Sequence, residues 1–133
     1  MLNIETKFRH ESIDGYSFSE LKSAVQKYIR RSNIEKSMWV ASRLDLFYLD
    51  PNGERLRTNF IHRLMIIFLE DIGFSGIHLW PELDSLLMDR LLLGRKSARR
   101  DREAEVKSIR RVVELLADAK QEKSRSCLSL IYI

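Results

Sequence analysis

The first clear hydrophobic rhythm begins after Ser17. Leu21, Val25, Tyr28 and Ile29 recur at spacings of four, three and one, the signature of a single helix face, while Lys22, Gln26, Lys27, Arg30 and Arg31 cover the remainder. "SFSE" precedes them as a capping box in which Ser17 and Glu20 satisfy each other's amides. The pattern predicts a helix over residues 18–31. A second signal, "SNIE" from Ser32 to Glu35, restarts the chain at once. It predicts a helix to about residue 48, with Met38, Ala41, Leu44 and Phe47 facing inward. So short a connection makes the two helices antiparallel neighbours.

"LDPNGE" breaks the pattern, because Asp-Pro and Asn-Gly both favour turns. A third helix is predicted over about 55–72, with Gly73 as its left-handed cap. Between residues 64 and 69 it is apolar all round, which marks a central helix rather than a surface one. "FSGIHLWPELD" is a second break, and Pro81 suits the first turn of a fourth helix that reaches about residue 93 and closes at Gly94. The last long segment, about 96–121, carries Val106, Ile109, Val113 and Leu116 on a narrow stripe. Its ending, "SCLSLIYI", reads equally as a strand or as further helix. Residues 1–16 have little periodicity. The expected fold is all-α: a compact bundle of about five helices with a flexible N-terminal arm (1–16), a four-helix core (17–94), and a basic helix with an apolar tail (95–133).

Composition supports this reading. A chain of 133 residues suits one domain, and only 5 Gly and 2 Pro ask for unusual backbone. The single Cys127 cannot form an internal disulfide. "MLNIETKFRHESIDG" lacks the apolar core of a signal peptide, and every apolar run is shorter than the roughly 20 residues a bilayer requires. A reducing intracellular compartment, cytoplasmic or nuclear, is expected, with no membrane association.

The residues carry little chemistry. "LGRKS" lacks the upstream glycine and the Gly-Lys-Ser spacing of a phosphate loop. His10, His62 and His78 are far apart and Cys127 is near none of them, so no metal site is expected. No serine sits in a nucleophile elbow. Glu70 and Asp71, adjacent on a helix, point about 100° apart and do not form an acid–base pair. Neither catalytic residues nor cofactors are expected, and the chain does not read as an enzyme.

Charges on the greasy third helix call for partners. Arg63 and Glu70 are seven residues apart and share a face of a regular helix. Glu70 and Asp71 fall in the last turn, where the dipole disfavours anions, so cations should hold them. Arg63 is one candidate and a base from the first helix, Lys27 or Arg30, is another. This makes Arg63, Glu70 and Asp71 an expected structural charge network.

Basic residues suggest a partner. The net charge is +4, and residues 95–111 hold eight basic against three acidic residues. Lys22, Lys27, Arg30 and Arg31 on the first helix, with Arg95, Lys96, Arg99, Arg100 and Arg102, are the candidate contacts for DNA phosphates. Such binding is sequence-independent and salt-sensitive. The plainer alternative is a solvated helix with internal pairs such as Glu103 with Lys107. Aromatic residues do not interleave with the bases, which argues against a stacking platform for single strands.

Two blocks also carry a resemblance. "SAVQKYIRRSNIEKSMWVASRL" followed by "RLMIIFLEDIG" resembles the helical C-terminal region of the RarA/MgsA family, clamp-loader-like AAA+ ATPases related to the Werner-helicase-interacting proteins. Ser23, Gln26, Lys27, Ile29, Arg30, Ala41, Leu44, Arg63, Leu64, Glu70, Asp71, Ile72 and Gly73 stand at matching positions, and "EKSRS" near Lys123 echoes a later Lys-Ser signature. The similarity spans roughly residues 20–80, and it extends to stand-alone versions of the segment in large DNA viruses. The chain has no Walker A or Walker B segment, so ATP hydrolysis is not implied. What the resemblance implies is a helical scaffold that self-associates and acts beside replication proteins or DNA. The alternative is a structural or assembly protein, in a virion for example.

Overall fold

Helix α1 (Phe18–Arg30) starts as its sequence dictates: the Ser17 Oγ accepts from the Glu20 amide at 3.2 Å, and the Glu20 carboxylate accepts from the Ser17 amide at 3.4 Å. It belongs to a computed structural model that describes residues 15–49, 53–93 and 101–132. Phe18, Leu21, Val25 and Ile29 are buried, and Tyr28 packs half-buried beside them. The end of α1 differs from expectation. Ser32 adopts φ +56°, its amide donates to the Ile29 carbonyl at 2.9 Å, and the Asn33 amide donates to the Tyr28 carbonyl at 2.9 Å. These are the two bonds of a Schellman motif. Ser32 therefore closes α1 and cannot cap the next helix. That role passes to Asn33, whose Oδ1 accepts from the Lys36 amide at 3.1 Å.

Helix α2 (Ile34–Asp45) tightens into a 3-10 turn, Leu46–Leu49, instead of running on as an α-helix to residue 48. The Lys36 ammonium lies over the Tyr28 ring at 5.5 Å, and Phe47 meets Phe18 edge-to-face at 5.5 Å. The end of α1 thus touches the start of α2, and its start lies beside the turn that follows α2. The pair is antiparallel.

Helix α3 (Gly53–Ile67) buries Arg57, Phe60, Ile61, Leu64 and Ile67 on one face. The expectation that residues 64–69 are enclosed on all sides is corrected, because Ile66 is 37% and Leu69 65% exposed. A wide π turn, Phe68–Ile72, continues the helix and Gly73 ends it. Gly73 has φ +60° but ψ −142°, so it is a sharp corner rather than the left-handed helical cap expected. A 3-10 stretch, Gly73–Leu79, leads into α4 (Trp80–Asp84), with Pro81 in its first turn. Wide helical turns over Ser85–Leu93 then bury Leu87, Leu91 and Leu92.

Helix α5 (Arg102–Tyr132) is continuous, so the apolar ending is helical in its backbone rather than a strand. Its buried face is broader than the expected stripe: Glu105, Ser108, Ile109, Val112, Val113, Leu115, Leu116 and Ala119 lie inside, while Val106 is 41% exposed. One core joins α1, α2, α3, the Ser85–Leu93 turns and α5. The architecture is all-α, with no strand among the described elements. No described helix is long and apolar enough to cross a membrane. Residues 1–14 of the expected N-terminal arm, residues 50–52 of the expected turn, Gly94 and the candidate contacts Arg95, Lys96, Arg99 and Arg100 lie outside the described residues.

Candidate anion-binding site

A polar ladder runs along the seam between α1 and α3. Residues 22, 26 and 30 of α1 stack at four-residue intervals, as do 55, 59 and 63 of α3, so both sets line one side of their helices. The Lys22 ammonium donates to Asn59 Oδ1 at 3.2 Å. Arg63 donates to Gln26 Oε1 at 3.4 Å, and the Gln26 amide donates onward to Glu70 at 3.1 Å and to Asp71 at 3.2 Å. Arg30 closes the lower end on Asp71 at 2.8 Å. There the Lys123 ammonium also donates to the Asp71 carbonyl at 3.2 Å.

Arg63, Glu70 and Asp71 therefore meet at one seam, but not in the pairing expected. Arg63 reaches Glu70 only through Gln26, and Asp71 takes the cation. The cause is the wide turn. A π turn spaces its bonds by five residues instead of four, so residues beyond Phe68 rotate less per step than in an α-helix. Asp71 swings onto the side where Glu70 was expected. It is 9% exposed, whereas Glu70 is exposed. Of the two first-helix bases considered as partners, Arg30 makes the contact.

The ladder is polarised. At its lower end, carboxylates meet Arg30. At its upper end, Lys22 has the amide of Asn59 and the Phe18 ring, 5.3 Å from its ammonium, and Arg63 has the amide of Gln26; no ion pair of either occurs among the described residues. Burial, together with the neighbouring Arg63 charge, lowers the Lys22 pKa below its ordinary value. Two cations held close by neutral partners form a place where an anion relieves strain. Exposed Arg55, one turn before Asn59 on the same side, extends this charge. It was missed in the sequence, although the 55–59–63 spacing could have shown it.

The other candidate bases disperse. Lys27 and Arg31 are exposed but are turned by more than a quarter-circle from Lys22 around α1, so they do not join its face. Arg102 is occupied. Its guanidinium bonds both oxygens of Asp45, reaches Glu105 at 3.3 Å and stacks over Tyr48 at 3.9 Å. Burial opposes its charge, but the hydrogen bond and charge of Asp45, with Glu105, outweigh that and raise its pKa. Behind it lies Arg57, fully buried, donating to Asp45 at 2.7 Å and to Glu105 at 2.9 Å. Two guanidiniums and two carboxylates thus balance in a largely buried cluster that the expectations above did not include. On α5, Glu103 and Lys107 do pair, at 3.6 Å and in full solvent. Among the described residues no group of His, Cys, Asp and Glu is arranged to hold a metal ion.

Comparison with protein-family models, with curated proteins and with solved structures returns no match for this chain.

Proposed function

We propose that the chain is a non-catalytic helical module of DNA replication or repair, which holds a nucleic-acid phosphate backbone on the Lys22–Arg55–Arg63 face without reading sequence. The carrying observation is the upper end of the ladder. Lys22 and Arg63 lie together with neutral partners and no carboxylate among the described residues, whereas Arg30, Arg57, Arg102 and Arg111 are each committed to carboxylates. A phosphate diester supplies the missing negative charge. The resemblance to the RarA/MgsA C-terminal region supports the replication or repair setting, and six of its polar positions, Gln26, Arg30, Arg63, Glu70, Asp71 and Lys123, join this ladder, while Ser23 and Lys27 do not. Such a module acts inside the cell, beside replication proteins or on DNA directly.

The test is fluorescence anisotropy with mixed-sequence duplex DNA over a salt series. Changing Lys22 and Arg63 to Gln should weaken binding to every sequence and reduce the log–log salt slope by about 0.9 for each phosphate no longer neutralised. Arg111→Gln, which disturbs only exposed pairs with Glu82 and Glu114 far from this face, is the control. Unchanged affinity and slope in the double variant reject this face. A second reading, a self-associating assembly protein, draws on the exposed Leu69, Phe74 and Ile77. Light scattering that finds large assemblies, with no DNA affinity at low salt, favours it.

A further inference from the structure

Away from the ladder, a groove of about 350 Å3 separates α2 from α5. Its walls are mainly apolar, with Met38, Trp39 and Leu46 on the α2 side and Val106, Ile109 and Val113 on the α5 side. Trp39 remains 43% exposed, yet its ring is fixed by the Arg43 guanidinium, 5.0 Å from the ring centre, and by Tyr16 edge-to-face at 5.8 Å. A large aromatic already held in place loses little freedom when something binds to it. Trp beside Arg is also the composition of residues that anchor protein interfaces.

Charge narrows the choice of occupant. Asp45, the acid in the groove wall, is already neutralised by Arg57 and Arg102. Arg110, also in the wall, is exposed and has no ion pair among the described residues, so the groove carries excess positive charge. We infer that this groove takes an acidic amphipathic helix of a partner protein. Large apolar side chains of that helix enter between α2 and α5, and its carboxylates meet Arg110. A nucleobase suits the groove less well. The neutral polar side chain in its wall is Ser42, whose hydroxyl already donates to the Trp39 carbonyl at 2.7 Å, so base edges find little to read. A second copy suits it less too, because the chain's net charge is +4 and like charge opposes the approach. The inference uses none of the ladder residues between α1 and α3 and is independent of phosphate binding there.

The full chain is tested by fluorescence anisotropy against three labelled probes: a four-turn helical peptide with Leu and Phe on one face and Glu on the other, its Lys counterpart, and oligothymidine. The Glu peptide should bind saturably and at least about tenfold more tightly than the Lys peptide. Val106→Glu should weaken it by about tenfold or more with an unchanged circular dichroism spectrum. The new carboxylate, one turn from both Arg102 and Arg110, is compatible with the helix. Arg110→Glu should reverse the preference between the two peptides. The inference fails if the Glu peptide does not saturate, if both peptides bind alike, or if Val106→Glu has no effect. It fails equally if Val106→Glu abolishes oligothymidine binding instead, or dissolves a homodimer seen by light scattering.

Discussion

Replacing Arg57 by Met tests the account of the interior most directly. The guanidinium is fully buried and donates from Nε to Asp45 and from Nη2 to Glu105. Met keeps most of the side-chain volume and removes both charge-assisted bonds, each worth about 1.5–3 kcal/mol. Both carboxylates keep a bond to Arg102, but two negative charges then share one guanidinium, so one charge is stranded. One term works the other way. Arg57 Nη1 is buried with no hydrogen bond among the described residues, and losing that donor recovers about 1–3 kcal/mol. The expected net loss is about 2–4 kcal/mol, a large part of the roughly 5–15 kcal/mol typical of a domain. Urea melts followed by circular dichroism should show a lower midpoint at an unchanged slope. Adding Glu105→Gln should cost less in the Arg57→Met background than in the wild type, because the stranded charge is then neutralised. Arg63→Met, whose partner is a neutral amide, should change stability by only about 0.5 kcal/mol. A loss under about 1 kcal/mol for Arg57→Met, or equal losses at the two arginines, would refute the buried-cluster account.

Three further outcomes follow from local geometry. Ser32→Gly should stabilise by about 1 kcal/mol, since φ +56° costs any residue with a Cβ; an unchanged melt would mean that Ser32 does not hold that conformation. Gly76→Ala should destabilise by about 1–3 kcal/mol, because a Cβ there lies 2.4 Å from Ile72 Cγ2, and a neutral result would show that the bend yields freely. Lys22 supplies a pH test. Its folded pKa lies below the ordinary value, so the folded state binds that proton more weakly than the unfolded state does. The penalty is present in full below the folded pKa and is relieved as pH rises from there to the ordinary value. Arg63→Gln should move the Lys22 pKa, followed by NMR at its Cε, back upward; no movement would remove Arg63 as a cause.

Much of the helical framework was legible because it depends on neighbours in sequence. The Ser17 capping box, the Leu21–Val25–Ile29 face and the placement of Pro81 all follow from spacing. The charge partners were harder to read because they depend on how helices meet. Yet the buried cluster left a trace. Arg57 falls in register with Phe60, Ile61 and Leu64, Glu105 with Ile109, Val112 and Val113, and Asp45 with Ala41 and Leu44. A charge of compensating sign on the apolar stripe of three separate helices signals a buried cluster. Reading Val106 instead of Glu105 as the start of the α5 stripe hid it. The direct Arg63–Glu70 pairing that the spacing predicts does not form for another reason, since the α-helical period does not hold through a turn that is not α-helical.

That wide turn has a consequence for changes in chain length. In an ordinary helix, removing one residue turns everything beyond it by about 100° and moves buried side chains to the surface. The Phe68–Ile72 turn already carries one residue more than an α turn would use. Deleting exposed Leu69 lets it relax to α geometry, with Asp71 arriving seven positions after Arg63 and still facing Gln26 and Arg30. Within α1 the same deletion would put Val25 and Ile29 out of register with their neighbours. The chain can therefore shorten by one residue at this turn and keep its packing, a freedom that its regular helices do not share.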